Sequence, residues 1–176
     1  MSELKISIIQ RITTEFDLLE DRFKLNALLN SGSTLTLWLT QRLFLRLLEQ
    51  CFDWLQKQNI ELLESTAEEK VHDRLNEFSQ ESALNELTQE DPVISAESAP
   101  NFVIQELDIK FESDRIILIF KGNNDHYGLV FNCQQLRQWL HIVHKKWVNA
   151  EWPLSIWPSW ICPSSTKLID SNDPLH

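Results

Sequence analysis

Between Phe23 and Leu55 the apolar residues change their period from two to the helical repeat, and the same change returns between Arg115 and Trp147. Phe23, Leu25 and Ala27 alternate with Lys24, Asn26 and Leu28, the pattern of a strand with one buried face. Asn30-Ser31-Gly32-Ser33 supplies turn residues, with a glycine free to take positive φ. Leu35, Leu37 and Leu39 make a second strand, and Thr40 is a helix N-cap residue. Phe44, Leu47, Leu48, Cys51 and Leu55 then share one helical face.

Shifting by roughly 92 positions finds the layout again. Residues 115–121 read as a strand, and Gly122-Asn123-Asn124-Asp125 as a turn. Tyr127, Leu129 and Phe131 match the three leucines of the second strand. Asn132 and Gln135 have the spacing of a capping box. Leu136, Trp139, Leu140, Val143 and Trp147 take the five helix positions. The match is one of pattern, since few residues are identical. A strand is also expected before each hairpin, over residues 3–12 and around Leu107, Ile109 and Phe111. The second of these is out of phase with Phe16 and Leu18, which calls for a bulge or a one-residue slip.

A lone hairpin with one helix cannot cover its apolar face, whereas two such units can share a sheet. The expected fold is therefore α+β: two pseudo-repeated β-β-β-α units forming a largely antiparallel sheet, with two helices on one face. Residues 1–60 make the first half and 101–150 the second. Residues 61–100 form an acidic insert, with a short helix over 66–79 opened by Thr66-Ala67-Glu68-Glu69 and a mobile linker from about 79 to 100. Residues 151–176 form a Trp/Pro-rich strap. The whole is expected to be one compact domain, with a first helix over 41–57.

The net charge of −10 is concentrated in that insert, where eleven acidic residues face two basic ones. The reading of an acidic shell that mimics DNA therefore loses most of its force, and the overall acidity argues against nucleic acid as a partner. The chain has no apolar run of the ~20 residues that a membrane span needs. It has neither a signal-peptide pattern nor a paired set among its three cysteines, and the expected location is the cytoplasm.

Two groups of side chains stand out. The first helix carries Leu43, Leu45, Phe52 and Trp54 beyond its shared stripe, where the second carries Gln135, Arg137, His144 and Lys146. The tail adds Trp152, Trp157 and Trp160. Together these seven apolar residues make a candidate interaction surface, unless the tail folds back to fill gaps in its own domain. The second group is polar: His126, Cys133, His141 and His144, with Cys162 as a further sulfur. His141 and His144 share a helix face, but Cys133 is poorly placed to join them on one metal, and no Cys-x-x-Cys occurs. No catalytic residues, cofactor site or metal site are assigned. The leading expectation is a non-catalytic protein that binds a protein partner or itself. The rival is a small enzyme or ligand-binding domain with its site in the groove between the two repeats.

Overall fold

The computed structural model describes residues 5–60, 69–122 and 124–161, with only the backbone of Ile60. Seven strands and three helices follow in the order β1 (Ile6–Asp17), β2 (Arg22–Leu29), β3 (Thr34–Leu39), α1 (Gln41–Ile60), α2 (Glu69–Asn85), β4 (Asn101–Val103), β5 (Glu106–Phe111), β6 (Arg115–Gly122), β7 (Asp125–Asn132) and α3 (Cys133–Asn149). The class is mixed α+β. One curled sheet has the strand order β4-β3-β2-β1-β7-β6-β5. Neighbours are antiparallel except at two places, β1 beside β7 and β4 beside β3, which run parallel.

The two edge strands, β4 and β5, are separated by only Ile104 and Gln105. The Ile104 N–H donates to the Trp38 carbonyl (2.9 Å) and the Gln105 N–H to the Lys121 carbonyl (3.0 Å). One short stretch thus bonds to opposite sides of the sheet, and this draws the edges together. Gly122 permits the approach: a Cβ there would overlap the Phe102 ring. In the first hairpin Gly32 takes φ +87°, as its turn requires.

β1 serves two neighbours. Ile6–Ile8 pair with His126–Gly128 of β7, and Arg11–Asp17 pair with Arg22–Leu28 of β2. The register shifts between Ile9 and Arg11. Such an extra residue flips the side-chain phase. Ile9 faces the core before it; Ile12, Thr14 and Phe16 do so after it. The slip expected near Phe16–Leu18 therefore lies at Gln10 instead. Phase also flips between β4 and β5, from Phe102 and Ile104 to Leu107 and Ile109. Ile12, Thr14 and Phe16 pair with Ala27, Leu25 and Phe23. Leu107, Ile109 and Phe111 pair with Phe120, Leu118 and Ile116. The buried residues Phe23, Leu25 and Ala27 of β2 correspond to Ile116, Leu118 and Phe120 of β6 one place beyond the offset that relates Leu35, Leu37 and Leu39 to Tyr127, Leu129 and Phe131, which is why a single offset loses phase here.

α1 and α3 each bury all five of their stripe residues. The Thr40 hydroxyl accepts the Leu43 N–H (3.3 Å). Asn132 and Gln135 exchange both capping-box bonds (2.8 and 3.1 Å). Aromatic edges knit the helices to the sheet: Phe44 meets Phe23 (4.9 Å) and Trp139 (5.9 Å), and Trp139 stacks on Phe131 (5.3 Å).

Two parts of the middle segment differ from expectation. α2 runs to Asn85, six residues past the expected end, and its proposed cap residues 66–68 lie outside the described residues. Its buried residues are Asn76, Gln80 and Ala83, while Val71 and Phe78 are 44% and 69% exposed. The face that packs is polar because it meets a buried cation, Arg137. The stretch after α2 is no loose linker either. The Val93 N–H donates to Thr13 Oγ1 (2.7 Å), Ser95 Oγ to the Leu35 carbonyl (3.0 Å), and the Ala96 N–H to Thr34 Oγ1 (3.0 Å). The Pro100 carbonyl accepts from the Thr36 N–H (2.9 Å). These bonds tie residues 93–100 across β1–β3. No local pattern announces them, since every partner is far away in sequence.

Candidate binding groove

The seven apolar residues of the expected interaction surface are spent largely inside the chain. Phe52, Trp54, Trp152 and Trp160 are buried, and Leu43, Leu45 and Trp157 pack against the core while partly buried. The tail makes two short 3-10 turns, Leu154–Ile156 and Ser159–Ile161. Trp152 lies against Phe16, Phe23 and Trp147, with its Nε1–H donating to Asp21 (2.8 Å). Trp157 meets Phe52 and His144, and Trp160 meets Phe52. The indole rings of Trp152, Trp157 and Trp160 cover apolar surface of α1 and α3. Cys162 and the tail beyond it lie outside the described residues.

The four polar candidates do not converge. His126 is the second residue of β7, beside Ile6, while Cys133 opens α3 seven residues further on, ~20 Å along the strand. Burial raises the Cys133 thiol above its usual range, so it is protonated at neutral pH. Burial pulls His141 down to about 4, with Lys145 and His144 adding to the shift, and His144 is lowered by burial as well. Both imidazoles are then neutral at pH 7. Cys51 is wholly buried and its thiol is pushed far up by desolvation. Among the described residues no three His, Cys, Asp or Glu side chains gather as a metal-binding group.

One buried polar cluster joins α2 to α3. Arg137 is 4% exposed. It donates to Asn76 Oδ1 (3.0 Å) and to the Asn76 carbonyl (3.4 Å), and its guanidinium lies over the Trp160 ring (5.2 Å). Gln80 Nε2 donates to the Arg137 carbonyl (3.0 Å), and Asn59 donates to the same Asn76 oxygen. Burial lowers the Arg137 pKa to about 10. No carboxylate among the described residues pairs with it. The arrangement pins α2 onto α3.

An opening lies where β1 and β7 part. They pair over three residues; the bulge at Gln10 then swings β1 toward β2, while β7 continues to α3. Trp139 closes the inner side of the gap, donating from Nε1 to Thr14 Oγ1 (2.9 Å). A groove of about 940 Å³ remains. Gln10–Glu15 form one wall, Leu129–Phe131 the other, and Leu87–Pro92 with α3 the rim. Among the described residues, no backbone hydrogen bond is made to the side of Gln10–Glu15 that faces away from β2. Val130, Ile142 and Leu87 are exposed there at 39%, 36% and 38%. The groove thus offers strand backbone and apolar side chains together. A smaller pocket of about 280 Å³ continues it past Glu15 and Lys146 to Leu18.

Sequence reasoning missed these residues, although a signal was present. α3 carries Gln135 and Lys146 at the positions where α1 has Leu43 and Trp54. Trp54 is buried, with its Nε1–H reaching the Glu112 carbonyl (3.3 Å). Gln135 and Lys146 instead line the open groove. The contrast pointed to α3 as the uncovered helix, not to α1 as the surplus one. No family model, no curated protein and no solved structure matches the chain.

Proposed function

We propose that this is a non-catalytic binding protein whose groove between β1 and β7 takes an extended polypeptide segment as an added strand. The observation that carries the reading is the unpaired edge of Gln10–Glu15 set beside exposed Val130 and Ile142. Strand addition draws affinity from main-chain bonds and selectivity from alternate side chains. The groove has both, and its few cations do not suit a nucleic-acid backbone.

The architecture is read as two β-β-β-α units that complete each other. Each lends the start of its first strand to the third strand of the other: Ile6–Ile8 to β7, and Asn101–Val103 to β3. In each, a phase flip follows and the strand then joins its own hairpin. On the other side Trp54 lies under the β5–β6 turn, its Nε1–H donating to the Glu112 carbonyl. The setting proposed is cytoplasmic, with a protein partner. The rival enzyme reading would rest on His126, Cys133, His141 and His144, of which only His141 and His144 are neighbours.

Selection from a library of random nine-residue displayed peptides tests this function. Extended, alternating sequences are expected to be enriched on the protein and lost on Val130→Arg, a change at an exposed strand position that leaves thermal unfolding within about 2 °C. Equal enrichment on both proteins, or none on either, would overturn the reading.

A further inference from the structure

The groove is electrically uneven along its length. At its Arg11 end stand Glu90 and Asp91, and Arg11 already pairs with Glu90 (3.4 Å). At its Glu15 end stands Lys146, and Glu15 already pairs with Lys24 (3.2 Å). With those pairs cancelled, Asp91 remains at one end and Lys146 at the other, neither with an ion-pair partner among the described residues. Four residues of β1 separate the ends, ~13 Å of extended chain.

Resting on the strand-addition reading, we infer that the groove binds its segment in one direction. The segment carries Lys or Arg where it passes Asp91, and Asp or Glu four residues away where it passes Lys146. Residues four apart in a strand point to the same side. The two charged side chains therefore share one side of the bound strand, and the residues one and three places along share the other. Those positions take apolar side chains. A segment inserted in the opposite direction sets like charges against each other at both ends, which selects against it. The partner is thus a protein strand of mixed charge, neither uniformly basic nor uniformly acidic.

The same library, selected on the intact protein and on the double variant Asp91→Lys/Lys146→Glu, decides the matter. The wild-type protein is expected to enrich sequences with opposite charges at i and i+4. The double variant is expected to enrich the reverse order and to bind wild-type winners on the order of tenfold more weakly, the size that two exposed ion pairs turned repulsive can produce. Enrichment that Val130→Arg abolishes but that shows no charge bias, or whose bias the double variant fails to invert, overturns the directional inference and leaves strand addition standing. Enrichment indifferent to Val130→Arg overturns both.

Discussion

Replacing Trp147 by alanine is expected to lower the unfolding free energy by ~3–5 kcal/mol, the cost of removing a large aromatic from a closed core. Trp147 is fully buried where three parts of the chain meet. Its ring lies 5.9 Å from Phe23, 5.7 Å from Phe44, 4.8 Å from Trp152 and 5.7 Å from Trp157, between centroids. Its Nε1–H donates to the Pro153 carbonyl (3.0 Å), so the loss also frees the strap. At ~2–4 °C per kcal/mol for a chain of this size, the thermal midpoint should fall by roughly 10 °C or more. Leu19→Ala, at a 98% exposed turn position, supplies the contrast and should move it by less than about 2 °C. Similar shifts for the two variants, measured by calorimetry, would mean that the strap does not pack on the core.

The second large effect concerns Asn76. Asn76→Leu takes away the side-chain oxygen that faces both Arg137 and Asn59. A guanidinium left buried without that acceptor costs ~3–5 kcal/mol, because desolvation is no longer offset. Arg137→Met in the Asn76→Leu background removes the stranded charge and should restore most of the loss. A double-mutant cycle by urea unfolding reads the coupling directly. A penalty below about 1 kcal/mol for Asn76→Leu, or no recovery in the double variant, would show that α2 is not held by this cluster.

These residues also show which parts of the fold the sequence made legible. Periodicity found the stripe of each helix, because a face that must be buried is written at fixed spacing; Phe44 through Leu55 and Leu136 through Trp147 all lie inside. Turn chemistry found Gly32, and cap chemistry found Asn132 with Gln135. Local pattern failed where the partner was distant. Asn76 and Gln80 look like solvated helix positions until Arg137 is opposite them. Ser95 and Thr34 look like linker and turn residues until one strand of chain is laid across the other. The groove was illegible for the same reason: it exists only because Gln10 shifts the phase of β1, and one extra residue in a strand leaves little trace in composition. The tail's own ambiguity was real in the sequence, since indoles that dock on a partner and indoles that fill a gap have the same spacing.

Native-state amide exchange resolved by NMR along β1 tests the account at its root. Alternate amides of Gln10–Glu15 point toward β2 and should exchange only through global unfolding, while those between them face open groove and should exchange orders of magnitude faster. Uniform protection along the whole stretch would mean that this edge is already paired, and the groove as a place for an incoming strand would be contradicted.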